Sequence, residues 1–207
     1  MTAILKVDTI QDTAGNNIIN ESSNTITIGA SGDTTNIVGT LQNNGAALAL
    51  GSLTMADQWR VTTAFTGNAD PIASNLERED TAPALSYFGS QMTESSGVFT
   101  FPSTGIYMVQ FFAGFKYNGD ATYCSLYIKG TTNGSTGIQL AEANTYITRN
   151  SSTTTYTTAF VSSILDIQNT SNNKVMFQVD KEDTSVETLA NTARTSTGFR
   201  FIRLGDT

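Results

Sequence analysis

The chain has 207 residues, of which 39% are hydrophobic and only 14% charged, and its formal net charge is −7 at pH 7. A negative chain without any Lys/Arg cluster excludes a nucleic-acid-binding basic patch, and the lack of an 18-residue apolar run excludes a membrane-spanning helix. With no histidine and a single cysteine, Cys124, the sequence excludes histidine-dependent nucleophile systems, most zinc sites and any intrachain disulfide.

Polarity comes instead from Thr, Ser, Asn and Gly, which together supply roughly two-fifths of the chain, above ordinary usage. These residues suit turns and exposed strand faces and are poor in helix interiors, so the composition predicts an all-β protein. The N-terminus, MTAILKVDTIQDTAG, lacks the basic-then-apolar layout of a secretory signal. The expectation is synthesis and folding in a cytoplasm without the usual export route.

Residues 1–55 are predicted to form a separate N-terminal segment. Three short apolar-bearing runs, at 17–20, 25–29 and 36–41, are separated by Gly/Asn/Ser/Asp turns, and the region has no aromatic residue. Pieces this small bury little apolar area alone. Two readings remain: a disordered leader, or a stalk in which several copies wrap one axis so that Ile18, Ile26, Ile28, Ile37, Val38 and Leu41 meet their symmetry mates. The regular Ile and Gly spacing favours the stalk. The stretch 46–50, AALAL, reads either as a helical turn or as an apolar collar.

Beyond Trp59 the pattern changes to strand-like runs at 59–66, 84–88, 98–101, 105–116, 122–129, 137–147, 154–167, 174–180 and 197–204, separated by turn-rich segments. No segment keeps a 3.6-residue apolar period. Regularly spaced strands with turn signals predict one antiparallel β-sandwich over residues 56–207.

Several of these runs are apolar on both faces. In GVFTFPSTGIYMVQFFAGF (97–115), Tyr107, Val109, Phe111, Ala113 and Phe115 share one face, while Ile106, Met108 and Phe112 leave only Gln110 polar on the other. In 154–167, Tyr156, Phe160 and Ile164 oppose Ala159, Val161, Leu165 and Ile167. In 122–129, Tyr123 and Tyr127 oppose Cys124, Leu126 and Ile128. A sandwich buries one face of each sheet, so outward aromatics imply a second cover, most simply another copy of the chain. Met108, Phe112, Tyr123, Tyr127, Tyr156 and Phe160 are the candidate residues of that subunit interface.

Two stretches carry family resemblances. Ser96-Gly97-Val98-Phe99-Thr100-Phe101-Pro102, then Gly105-Ile106-Tyr107-Met108-Val109-Gln110-Phe111, resembles the signature of complement globular-head domains. The closing Ser196-Thr197-Gly198-Phe199-Arg200-Phe201 resembles that family's last strand. The resemblance spans about 57–205. It implies a tumour necrosis factor-like jelly roll, two antiparallel sheets with Greek-key connections, assembled as a homotrimer. KVDTIQDTAGNNIIN and TITIGASGDTTNIVGTL resemble the N-terminal leaders of tail-fibre and other virion structural proteins of marine bacteriophages, especially cyanophages. This implies a virion location, on tail, neck or capsid surface, after synthesis in the host cytoplasm.

No phosphate-binding glycine loop occurs, and Cys124 lies on the apolar face of a strand pattern as a core residue rather than a reactive thiol. The acidic clusters 76–80 and 179–183 flank turns and carry compensating bases, so they are read as solvated loops. A calcium site using Asp180, Glu182 and Asp183 and a catalytic carboxylate pair are the alternatives. The expectation is a non-enzyme without cofactors.

Antiparallel alternation places the loops 117–121, 149–153 and 181–194 at the end of the head away from the stalk. Tyr117, Asn118, Asp120, Arg149, Asn150 and Lys181 are the candidate receptor-binding residues there. The function expected is a trimeric virion fibre or spike whose residues 1–55 dock on other virion proteins and whose head binds a host surface glycan or protein. A capsid decoration protein and a soluble ligand-binding module are the alternatives.

Overall fold

The structure, a computed structural model, describes residues 53–207 without a break. Before them it describes 9–11, 17–22, 25–28, 42–43 and 46–47 and the positions 13, 32 and 34–36. The chain divides into two compact units, Met1–Gly51 and Ser52–Thr207.

In the first unit, β1 (Thr9–Gln11), β2 (Asn17–Ser22) and β3 (Thr25–Ile28) form a three-stranded antiparallel sheet in that order. The polar pair Ser23-Asn24 separates β2 from β3, in a register that sets Ser22 opposite Thr25. Ile26 and Ile28 are exposed. β4 (Gln42–Asn43) pairs with β5 (Ala46–Ala47), so Ala46 and Ala47 are extended and not part of a helical turn. Ile37, Val38, Leu41 and the side chain of Ile18 lie outside the described residues.

The second unit contains β6 (Met55–Val61), β7 (Phe65–Thr66), β8 (Leu76–Arg78), β9 (Tyr87–Gly89), β10 (Thr93–Ser95), β11 (Val98–Thr100) and β12 (Gly105–Tyr117). These are followed by β13 (Ala121–Thr131), β14 (Gly137–Ile147), β15 (Thr155–Ile167), β16 (Lys174–Lys181), β17 (Glu187–Thr188) and β18 (Thr197–Gly205). Among the described residues there is no helix. One sheet runs β10-β11-β16-β13-β14. The other runs β7-β17-β12-β18-β6-β8, with β15 also on β12 and β9 also on β6, and all the pairings are antiparallel.

The turn chemistry is local. Ser96 and Gly97 join β10 to β11 with both residues at positive φ (52° and 82°), the type I′ geometry whose twist matches the flanking strands. The Gly97 N–H donates to Glu94 Oε1 at 2.6 Å. A Cβ at Gly97 would stand 2.5 Å from the Ile72 carbonyl oxygen, so glycine is required both by φ and by space.

The two sheets meet through aromatic rings. Phe177 of β16 stacks on Phe199 of β18 with centroids 4.1 Å apart and planes at 18°. Phe99 of β11 meets Trp59 of β6 edge-on at 5.3 Å, and Phe111 of β12 contacts Phe177 at 5.2 Å. Such pairs add to the burial of large apolar area. On β12, Tyr107, Val109, Phe111, Ala113 and Phe115 point into this core and are buried. Ile106, Met108, Gln110 and Phe112 face away from it and are half-buried.

The acidic stretch 76–80 is not a solvated loop. Leu76–Arg78 is a strand on β6, and Glu79 is buried. Arg78 Nε donates to Asp57 Oδ1 at 2.9 Å, while the Met92 N–H donates to Asp57 Oδ2 at 2.8 Å. Arg60 Nη1 donates to Glu79 Oε1 at 2.6 Å and to Thr81 Oγ1 at 2.9 Å, and its guanidinium also reaches Glu77 and Asp80. The charges are internal cross-links that a charge run alone does not reveal.

Candidate interaction surfaces

The chain directions fixed by the ladders bring the loops after β12, β14 and β16 to one end of the sandwich. Asp120 Oδ1 accepts the Arg149 N–H at 2.6 Å, the Tyr117 hydroxyl donates to Asp183 Oδ2, and the Thr122 N–H donates to Glu182 Oε2. These bonds join all three loops. Asn118, Asp120, Arg149 and Asn150 are exposed, and Tyr117 is half-buried. Asn150 closes a tight turn by bridging to Thr153, with Ser151 at φ 61°.

Lys181 departs from its expected role. It is 1% exposed, with Nζ donating to the Val186 carbonyl at 2.9 Å and to Thr188 Oγ1 at 3.1 Å, 5.1 Å from the Phe65 ring centroid. A side chain sealed in this way is not available to a binding partner. Burial pushes its ammonium down to about 8. Its cross-strand neighbour is Cys124, also buried, whose thiol burial pushes up to about 11.

The carboxylates of the calcium alternative point to separate partners. Asp180 Oδ1 accepts Asn68 Nδ2 at 2.6 Å. Glu182 accepts the Thr122 amide, which holds its carboxyl below the usual range. Asp183 is held low by the Tyr117 hydroxyl and then by the Ser185 amide. Among the described residues no group of three or more His, Cys, Asp or Glu side chains is arranged to hold a metal ion.

The candidate interface residues fall on opposite sides of the sandwich. Met108, Phe112, Tyr156 and Phe160 share the outer face of the sheet containing β12 and β15, where Phe112 stands opposite Phe160 and Met108 opposite Ile164. Tyr156, Phe160 and Ile164 are 64%, 54% and 66% exposed. Arg200 of β18 lies 5.1 Å from the Phe112 ring centroid. Tyr123 and Tyr127 lie on the outer face of the other sheet, across β13 from the buried Cys124, Leu126 and Ile128. Around Tyr127 that face is polar: Glu142 and Gln178 flank Tyr127, and Asn144 and Asp180 flank Ser125.

Sequence reasoning missed two features near these surfaces. A cavity of about 220 Å³ opens beside β14 and β15, lined mainly by Ile138, Leu140, Ile164 and Leu165 with Asp166 and Lys174 at its polar rim. A second cavity, of about 400 Å³, lies at the loop end beside Tyr146. The alternating apolar residues Ile138 and Leu140 hinted at the first, and nothing local hinted at the second.

Two antiparallel sheets around an aromatic core, in the strand order given above, define a tumour necrosis factor-like β-sandwich. Among solved structures, Eiger TNF from S. frugiperda matches with a TM-score of 0.55 at 12% sequence identity, over 75% of this chain and 96% of that one. At that identity the likeness shows the fold alone. No family model matches the chain, and no curated protein matches it in sequence.

Proposed function

We propose that the chain is a non-enzymatic, homotrimeric attachment protein of a bacteriophage virion, a fibre or spike. Residues 1–55 dock on other virion proteins, and the jelly-roll head carries a polar loop end to the host surface. The observation that carries the reading is the apolar outer face of β15, β12 and β18. Tyr156, Phe160 and Ile164 stand exposed on that face, and large exposed apolar side chains grouped on one face mark interaction sites. Half-buried Phe112, Met108, Ile106 and Ile202 continue the band. A second copy of the chain supplies a cover of matching chemistry. The three-fold number rests on the head's resemblance to complement globular-head domains, and the virion setting on the leader's resemblance to phage fibre leaders. Three weak loop sites on one rigid assembly gain avidity without a deep pocket.

Light scattering of the full chain is expected to give a trimer that survives dilution, and Phe160→Asp with Ile164→Asp is expected to give monomers of unchanged fold. A monodisperse wild-type monomer would sink the interface reading. On particles, deleting residues 57–207 is expected to abolish host adsorption while the N-terminal piece stays bound, and unchanged adsorption by such headless particles would defeat the attachment role. Hundreds of copies spread over the capsid, rather than a few trimers at the tail or neck, would mark a decoration protein instead.

A further inference from the structure

The ladder between β13 and β14 is interrupted at the loop end. Ala121 pairs with Ile147 and Cys124 with Thr145, so two residues of β13, Thr122 and Tyr123, stand opposite the single residue Tyr146. A bulge of this kind bends its strand and re-aims side chains, and bulges concentrate beside functional sites. Cys124 and Ile147 are buried in the core. Alternation therefore turns Tyr123 and Tyr146 outward, where they are 39% and 67% exposed.

The cavity of about 400 Å³ adjoins this bulge, lined by Asp120, Ala121, Thr122, Tyr146, Ile147 and Thr148. Asp120 belongs to that lining, and Glu182 reaches the bulge from the end of β16. Asp120 accepts the Arg149 amide through Oδ1, and Glu182 accepts the Thr122 amide through Oε2. Both side chains are exposed, and Asp120 Oδ2 takes no protein hydrogen bond among the described residues. The amide bonds fix the carboxylates in place, and Asp120 Oδ2 stays free to accept from a ligand. The Asp183 carboxylate, held by Tyr117, adds a third negative group to the same end, where Arg149 is exposed and Lys116 is paired with Glu187.

The geometry points to a saccharide subsite at this bulge, taking a neutral hexopyranose unit of a surface glycan. The reading rests on the head being the part that meets the host. A pyranose presents an apolar C–H face and a rim of hydroxyls. The Tyr146 ring meets the first, and Asp120 Oδ2 accepts from the second in a charge-assisted hydrogen bond. The excess of carboxylates disfavours sialic and uronic acids by like-charge repulsion. A single such subsite is weak, and several copies on one assembly act together.

The test uses the full chain on immobilised oligosaccharides ending in galactose, glucose, mannose or N-acetylglucosamine, beside sialylated and uronic-acid-terminated counterparts. Binding to at least one neutral terminus and not to the acidic ones is expected. Tyr146→Ala should weaken it roughly tenfold, and Asp120→Asn should weaken it while keeping an oxygen for the Arg149 amide. Tyr146 is exposed, so its truncation is read as binding, and an unchanged melting temperature checks that the fold is intact. No binding to any neutral terminus, binding to acidic termini alone, or binding that both variants retain would overturn the subsite. Competition of host adsorption by soluble wild-type chain separates the two readings. If it blocks adsorption while the saccharide result fails, the subsite falls and the attachment role stands.

Discussion

Replacing Arg60 with alanine is expected to destabilise the head by about 3–5 kcal/mol, the cost of removing one partner from a buried ion pair. Arg60 belongs to the outer face of its sheet by alternation, yet it is 1% exposed, because the segment after β8 folds over it. Its guanidinium holds Glu79, Glu77, Asp80 and Thr81 together, and Thr195 closes the cluster from the other side by donating to Glu79. Without Arg60, Glu79 remains a buried anion with only hydroxyl and amide donors. Burial pushes its carboxyl up, but the Thr195 and Thr81 hydrogen bonds and the Arg60 charge outweigh that and hold it below its ordinary 4.5. A carboxyl with a depressed folded pKa stabilises fully above its unfolded pKa and loses that contribution as pH falls through the folded value. The wild-type head should therefore keep the cluster's contribution down to about pH 4.5 and lose it below. Urea unfolding at pH 7 measures the first effect. Adding Glu79→Gln to Arg60→Ala should cost less than the sum of the single changes, because the orphaned charge is removed with its partner. A loss below about 1 kcal/mol on Arg60→Ala would place the cluster with solvated surface pairs.

What the amino-acid pattern disclosed and what it hid differ in range. The strands β12, β15 and β16 were legible because inward apolar residues recur at alternate positions, as in Tyr107 to Phe115, in Ala159, Val161, Leu165 and Ile167, and in Val175, Phe177 and Val179. The inward face of β12, from Tyr107 to Phe115, follows from that period, and so does the meeting of the loops around Tyr117, Asp120 and Arg149, since antiparallel neighbours reverse direction at each turn. Lys181 was legible in principle. Val175, Phe177 and Val179 alternate inward, and the same period carries on to Lys181, but a charge next to Glu182 and Asp183 reads as the start of a loop. Leu76–Arg78 was not legible, because its charges are satisfied by Arg60 and Asp57, which lie about twenty residues away in sequence. The division of the outward aromatics was also hidden. That Tyr123 and Tyr127 sit on one sheet and Tyr156 and Phe160 on the other depends on which strands pair, a property of topology rather than of any window. The bulge at Thr122 and Tyr123 depends likewise on the register of a partner strand.

The buried pair Lys181 and Cys124 should give the head an unusual alkaline profile. The folded lysine, at about 8, lies below its ordinary 10.5. Below pH 8 the ammonium is charged in both states, and the folded state bears the cost of burying it. Between about 8 and 10.5 the folded lysine is neutral while the unfolded chain still holds the proton. The unfolded state then binds more protons, and stability rises with pH. The gap corresponds to about 3 kcal/mol. Cys124 acts in the opposite sense. Its folded thiol, at about 11, lies above its ordinary 9.0, so between 9 and 11 the unfolded chain gives up a proton that the folded chain keeps, and stability falls by a similar amount. The wild-type head is expected to gain stability between pH 8 and 9 and then to level off as the two effects cancel. Cys124→Ala should let the gain continue toward pH 10, and Lys181→Met should remove it and leave only the fall. Tyr117 and Tyr127, both held above their ordinary 10.0, add to the fall above pH 10, so equilibrium urea unfolding from pH 7 to 10 is the range to read. A Cys124→Ala head whose stability is flat over that range would show that water reaches the Lys181 ammonium, and the sealed site between β13, β16 and Phe65 would have to be open.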